Sequence, residues 1–408
     1  MDLDMDPSTV LITLREQIEP LGDGDLIGLF YMLDDLYERK LWYQLTEVLS
    51  QQFYKNPNSK GIRLKLFENF ILKFNEKINQ LKLIEFLVLS LDDCTPSDAL
   101  DHLINLKHKI EVYGKKRSKN NDNIDDNDAF SSDLEIIQSL LFIDIEIAAL
   151  KLKLGFVDEA SATIDACSKK IDQLNWSVDN KINASYYSTT ASLMKIKGDY
   201  TAFYYNSLLF LACIDNLDDL NNKETIVKEV CISALLGEKI YNFGEIIMHN
   251  IFKYLEISWL KNLLLSLNNG DLAEFQKVIS NEDDLKQIPE VYENLVFLKQ
   301  KICIMSLIEL IFHKPTQNKV VKFDEILSQV NLLKNYNEVE HLIIKCASLG
   351  LIKCLINEVE SEVEVSWIQP RIMTIEQIQG MKDKLVIWNE KVSDLNNYMS
   401  EAGQELWV

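Results

Sequence analysis

Apolar positions along most of this chain recur every three or four residues, the spacing that places them on one face of an α-helix. Leu134, Ile137, Leu141, Ile145, Ala148 and Leu152 form one such face, and Leu295, Leu298, Ile302, Met305 and Ile308 form another. Three junctions between these segments look alike: KLGFVDEA (Lys153 to Ala160), KIKGDYTAF (Lys195 to Phe203) and NNGDLAEF (Asn268 to Phe275). Each reads as a helix end, a glycine in the left-handed C′ position, a turn and the opening of the next helix. ERKLWYQL (Glu38 to Leu45) and EKIYNFGEI (Glu238 to Ile246) are weaker versions of the same junction. Gly155 and Gly198 stand one repeat apart, about 40 residues, the period of stacked helix pairs. The pattern predicts a right-handed, TPR-like helical-repeat solenoid over residues 1–290. The polar, Asn- and Asp-rich run Gly114 to Asp133 reads as a flexible insertion between two helices, because it has too few apolar residues to offset the entropy of ordering. Its KKRSK start reads as part of that solvated loop rather than as a nuclear-localisation signal.

Near the end the period changes to two. Val363, Val365 and Trp367 alternate with Glu362, Glu364 and Ser366. Before them stand a helix over Leu295 to Phe312 with Pro315 as its stop, a short helix over Phe323 to Val330, and a third helix opened by an Asn337/Glu340 capping box and closed by Gly350. Val339, Leu342, Ile343 and Cys346 face inward on the third helix. With strands expected at Leu351 to Ile356 and Glu362 to Ile368, the order is that of a winged helix over residues 291–370, its hairpin edge carrying Val363, Val365 and Trp367. After Pro370, Ile378, Met381, Leu385, Trp388, Val392, Leu395 and Met399 repeat at spacings of 3 and 4, and Ala402 and Leu406 continue them. That strict heptad predicts one long C-terminal helix within residues 371–408, capped by Thr374 and Gln377, whose seam joins a bundle with partner helices. The fold class is all-α with a small β wing.

Composition removes several function classes. The balance of 42 Lys+Arg against 63 Asp+Glu gives a net charge of −21, which repels nucleic-acid backbones and anionic membranes. The third winged-helix segment holds Lys345 but no arginine, and the wing carries Glu358, Glu360, Glu362 and Glu364, so no nucleic-acid partner is expected. The 7 cysteines show no C-x-x-C pair, which fits a reducing compartment. Cys167, Cys213 and Cys231 read as buried thiols, and Tyr186, Tyr187, Phe203, Tyr204, Tyr205 and Phe210 as packing between helices. His102, His108, His249, His313 and His341 are isolated, with no H-x-H or H-E-x-x-H pair, so neither a metal nor a catalytic set is expected. Gly22, Gly24 and Gly28 have the wrong spacing for a phosphate loop, and Asp23 and Asp25 repel phosphate; they read as a turn before a helix starting near Leu26. MDLDMDPSTV has neither the basic nor the apolar region of a signal peptide, and no membrane span is expected.

A helical-repeat solenoid running into a winged helix and then a bundle helix resembles the PCI-domain family, which scaffolds the proteasome lid, the COP9 signalosome and a translation initiation factor. KLWYQL (Lys40 to Leu45), LFENFI (Leu66 to Ile71), NFGEIIMH (Asn242 to His249), LNNGDLAEFQ (Leu267 to Gln276), VSWIQPR (Val365 to Arg371) and QIQGMKDKL (Gln377 to Leu385) are similar to the proteasome-lid branch of that family. The resemblance implies a non-catalytic scaffold without cofactors, in cytoplasm and nucleus, with other lid PCI subunits, the metalloprotease-type (MPN) subunit pair and a ubiquitin receptor subunit as neighbours. A signalosome or initiation-factor subunit is the alternative assembly for the same fold.

Overall fold

Glycine followed by aspartate does two jobs at the helix junctions. In the computed structural model, Gly198 and Gly270 take φ of +77° and +67°. In each case the next amide reaches back to close the helix: Asp199 N donates to Met194 O at 3.1 Å and Asp271 N to Ser266 O at 3.0 Å. The same aspartates then cap the following helix. Asp199 Oδ1 accepts from Ala202 N, and Asp271 Oδ1 from Ala273 N and Glu274 N. Gly155 and Gly350 end their helices in the same way, with Phe156 N donating to Lys151 O and Leu351 N to Cys346 O. Orphan carbonyls at one helix end and orphan amides at the next are thus satisfied within a few residues. The EKIYNFGEI stretch departs from this expectation: its helix ends at Leu236, and Gly244 opens a short helix of its own.

The structure describes residues 7–18, 24–91, 94–119, 134–174, 178–214, 220, 222–281, 285–314, 319–372 and 375–404. Gly22, Pro315, Thr374 and Leu406, expected as turn, helix stop, cap and seam residues, lie outside them, as do residues 120–133 of the expected insertion. Helix continues through Lys119, however, so residues 114–119 of that expected loop are helical.

Contacts divide the chain into two units, Met1–Asp215 and Asn216–Val408. The first holds α1 (Pro7–Ile18), α2 (Gly24–Glu38), α3 (Trp42–Val48), α4 (Arg63–Asn69), α5 (Gln80–Ser90), α6 (Pro96–Lys119), α7 (Leu134–Lys153), α8 (Val157–Gln173), α9 (Asn180–Lys197) and α10 (Tyr200–Ala212). Its first core is rich in aromatic contacts: Tyr37 meets Trp42, Phe70 and Phe74, Phe74 also meets Trp42 and Phe70, and Tyr54 stacks on Phe86 at 4.9 Å. Arg63 is buried beside it. Its Nε donates to Ser59 Oγ at 2.8 Å, and one terminal nitrogen donates to the carbonyls of Tyr54 (2.7 Å) and Asn56 (3.1 Å). Farther along, α7 packs on α5, α6, α8 and α9. The Asp144 carboxylate on α7 accepts from Lys107 of α6 at 2.7 Å and Lys170 of α8 at 2.9 Å, tying three helices together. Of the expected aromatic cluster, Phe203 and Tyr204 are buried and Tyr205 is exposed. Cys213 sits half-buried just beyond the end of α10, not within it.

The second unit holds α11 (Lys223–Leu236), α12 (Gly244–Met248), α13 (Ser258–Asn269), α14 (Leu272–Ser280), α15 (Pro289–Glu293), α16 (Leu295–His313), α17 (Phe323–Gln329), α18 (Tyr336–Ser348) and α19 (Ile375–Gln404), with β1 (Val320–Lys322), β2 (Ile352–Asn357) and β3 (Glu362–Ile368). Helix α16 is its axis: Leu298, Ile302, Met305, Ile308 and Ile311 are buried, and it packs on α11, α13, α14, α17, α18 and β3. Helices that the sequence assigns to the end of the solenoid therefore share a core with the winged helix. Lys301, buried in the middle of α16, donates to the carbonyls of Ala234 (2.9 Å), Leu235 (3.0 Å) and Gly237 (2.9 Å), closing the C-terminal end of α11. The faces of Tyr241, Phe243 and Phe297 surround its ammonium at 5.4, 5.1 and 5.5 Å. Among the described residues no helix is long and apolar enough to cross a membrane.

The cysteines are free thiols. Burial pushes Cys167 and Cys303 up to about 11 and Cys231 and Cys346 up to about 12, and it raises Cys213 and Cys354 as well.

Gly270 is held twice over. Besides its positive φ, a Cβ there would lie 2.9 Å from the Ser306 Cα and 3.1 Å from the Met305 carbonyl on α16. Gly155 has the same left-handed turn but nothing within 4 Å. Gly155→Ala is therefore expected to lower stability by about 1 kcal/mol, the left-handed penalty alone. Gly270→Ala adds backbone overpacking and should lower it by about 3 kcal/mol. Urea denaturation of the two variants checks the difference.

Candidate protein-interaction site

The wing is a three-stranded antiparallel sheet in the order β1-β3-β2. Val321 pairs with Val363 on one side of β3, and Ile356 pairs with Val363 on the other. The register slips by one residue between Lys353 and Cys354, leaving Ser366 of β3 as the unpaired bulge residue. This topology corrects the expected hairpin edge. β3 is the central strand, and Val363 and Val365 point into the core, fully buried. Only Trp367 of the three is exposed, lying past the reach of the short β1, with the Lys353 ammonium 5.4 Å over its ring. The edge strand on the other side is β2, whose Leu355 side chain is exposed. Val359 stands exposed at the wing tip between Glu358 and Glu360. On α18, Val339, Leu342, Ile343 and Cys346 are buried as expected. The predicted capping box is replaced: the helix starts at Tyr336, and the Glu338 carboxylate accepts from Lys334 N at 2.7 Å.

After β3 the chain is clamped to the unit before it leaves. Gln369 N donates to Leu351 O at 2.8 Å. Arg371 donates to Glu309 Oε2 at 3.0 Å and to the Asn268 carbonyl, bridging α16 and the end of α13. Burial draws the Arg371 guanidinium down from its ordinary value while Glu309 opposes it. Ile372 packs against Gly244 of α12. The sequence reading missed this clamp, although the arginine sits in the conspicuous VSWIQPR stretch.

Past the clamp, α19 runs 30 residues. Every described side chain on it is exposed, including Ile378, Met381, Leu385, Trp388, Val392, Leu395 and Met399 of the heptad seam. A helix with an apolar seam gains little stability alone in water; its stabilisation comes from packing that face. The wing and α19 supply exposed surface. His102 faces Glu68 at 3.2 Å, His249 caps a turn through Ile251 N, and His313 lies beside Glu309. Burial lowers the His249 pKa. Among the described residues no group of three or more His, Cys, Asp or Glu side chains is placed to hold a metal ion.

Three family models match. PSD13 N-terminal repeats cover residues 29–264, a PCI domain covers 272–367, and an Rpn9 C-terminal helix covers 371–403. The chain is 37% identical over 407 residues to the 26S proteasome regulatory subunit RPN9 of Saccharomyces cerevisiae, covering 98% of each. It is 34% identical over 384 residues to the probable 26S proteasome regulatory subunit rpn9 of Schizosaccharomyces pombe, covering 93% of each. To the 26S proteasome non-ATPase regulatory subunit 13 homolog B of Arabidopsis thaliana it is 33% identical over 368 residues, 88% of this chain and 90% of that one.

Proposed function

This chain belongs to the Rpn9/PSD13 family of PCI-domain proteins, and on that premise we propose that it is a non-catalytic scaffold of the 26S proteasome regulatory particle lid. The observation that carries the reading is α19: a heptad seam, matched to the Rpn9 C-terminal helix, whose apolar residues nothing in the described chain covers. The helix enters a bundle with helices of other regulatory-particle subunits, and Arg371 fixes the point from which it departs. The wing meets a neighbouring PCI subunit through Trp367 and the outer edge of β2, where a strand edge pairs without charge matching. Functional parts are the helical repeats (1–290), the winged helix (291–370) and the bundle helix (371–408). The neighbours are lid PCI subunits, the MPN subunit pair and a ubiquitin receptor subunit, and the protein works where the proteasome works, in cytoplasm and nucleus.

Affinity capture of the tagged chain from cells, with mass spectrometry, tests this. Recovery of regulatory-particle subunits is the expected result; recovery of a different PCI complex would keep the fold and end the lid assignment. Leu385→Asp or Trp388→Asp places an unpaired carboxylate in the bundle. About 3 kcal/mol of penalty lowers recovery on the order of 100-fold. Lys391→Ala changes only a flanking charge and should leave recovery near wild type. Equal recovery from all three variants would show that the seam faces no partner.

A further inference from the structure

Three of the stretches that resemble the proteasome-lid branch meet at one point, just past the end of β3. Arg371 comes from VSWIQPR, Asn268 from LNNGDLAEFQ, and Asn242 and Gly244 from NFGEIIMH. The Asn268 carbonyl belongs to the last turn of α13, whose acceptors have no partner within the helix. The amides of Asp271 and Gly270 close the carbonyls of Ser266 and Leu267, and Arg371 takes the next one. Its other arm holds Glu309 of α16. A planar guanidinium fork spans two acceptors in this way, and the point charge of an ammonium does not. One residue on, the Ile372 amide donates to Asn242 Oδ1 at 3.5 Å. Gly244 leaves the room for this approach, since a Cβ there would stand 3.0 Å from the Ile372 Cβ.

The clamp stands between two exposed surfaces. Trp367 and the outer edge of β2 lie on one side of it, and the seam of α19 lies on the other. No described side chain of α19 is buried, so the helix adds nothing to its own attachment. The described contacts that hold this part of the chain on the unit end at Ile372, and α19 begins at Ile375. With the clamp broken, the stretch between the end of β3 and α19 is no longer held, and the length joining the two surfaces grows about threefold. The effective concentration of one binding surface beside its linked neighbour falls roughly as the −3/2 power of that length, so the change is worth about fivefold.

We propose that Arg371 is a positioning residue for assembly, joining the wing and α19 into one two-point binder. Capture of either surface by the particle then presents the other within short reach. The inference rests on the wing and seam readings above and adds that the two surfaces act together.

The test competes each full-length tagged variant against isotope-labelled wild type for incorporation into the regulatory particle. Arg371→Gln should lower incorporation about fivefold. A glycine-serine insertion of about four residues after Ile372 leaves every contact of the clamp in place and lengthens the same stretch, so it should lower incorporation about equally. In a Trp388→Asp background only the wing is left to bind, and neither change should then cost more than about twofold; such a cycle separates coupling from stability. Either change at wild-type incorporation overturns the coupling and leaves the seam standing. So does an Arg371→Gln loss that persists in full in the Trp388→Asp background, which would make Arg371 a support of the folded unit alone. Trp388→Asp at wild-type incorporation overturns the seam reading, and the coupling with it.

Discussion

Lys301→Met is expected to lower the stability of the second unit by about 3 kcal/mol. The methionine keeps an apolar stem in the same space but leaves the carbonyls of Ala234, Leu235 and Gly237 without the ammonium that now joins them. Buried acceptors left empty bear the desolvation penalty in full, whether the donor they lose is the ammonium or, above about pH 7, the neutral amine. Relief from burying the charge offsets part of the loss. The effect also depends on pH. Burial pulls Lys301 from an ordinary 10.5 down to about 7. Between those values the unfolded chain holds the proton that the folded chain has released, so stability from this group rises with pH across the window and is lost as pH falls through about 7. Urea denaturation of wild type and Lys301→Met at pH 6.5 to 9.5 should show that slope in the wild type and its absence in the variant. The difference between the two proteins cancels the titration of the cysteines. Parallel curves would exclude a depressed lysine.

Arg63→Met should act on the first unit with similar size, about 3 kcal/mol. The guanidinium fork reaches the Ser59 hydroxyl and the carbonyls of Tyr54, Asn56 and Leu89 at once, over the Tyr54 ring. Those acceptors lie in the segment between α3 and α4 and at the end of α5; the Asn56 carbonyl also accepts from the Ser59 amide and hydroxyl and keeps those partners, so the loss falls on the Tyr54 and Leu89 carbonyls and the Ser59 hydroxyl. Arg63→Lys keeps the charge but not the planar fork, so about half of the loss should remain. Hydrogen exchange reads the result locally: amides of α4 and α5 should exchange faster in Arg63→Met, as those of α11 and α16 should in Lys301→Met. Unchanged exchange in α4 and α5 would show that the carbonyls find other donors.

Both cations illustrate what a sequence conceals. Periodicity exposes faces that water or a core selects, and it placed α7, α16, α18, the wing and the heptad helix. It is silent on a charge that a core accepts. Lys301 stands in LKQKICIMSL, where a lysine reads as a solvent position; the signal available was that Ile302, Cys303, Ile304 and Met305 leave no polar side for it. Strand β1 is three residues long, too short for an alternation to register, and without it β3 reads as an edge when it is the middle. The Asn337/Glu340 box failed by a small shift, because Glu338 reaches the amide of Lys334 instead. The run 114–119 is helical since Pro96 to Tyr113 already nucleates the helix and extending it by lysine and arginine is favourable. The Gly-Asp junctions were legible because one residue type is required at each position, left-handed backbone at the first and a capping carboxylate at the second.

The four buried thiols, Cys167, Cys231, Cys303 and Cys346, form an unreactive background for cysteine chemistry. Cys231 and Cys346, raised to about 12, hold on the order of one thiolate in 10⁵ at neutral pH, and the thiolate is the species that attacks oxidants and alkylating reagents. A cysteine engineered onto α19 would react ahead of the four buried thiols, so site-directed labelling requires replacing only the half-buried Cys94, Cys213 and Cys354.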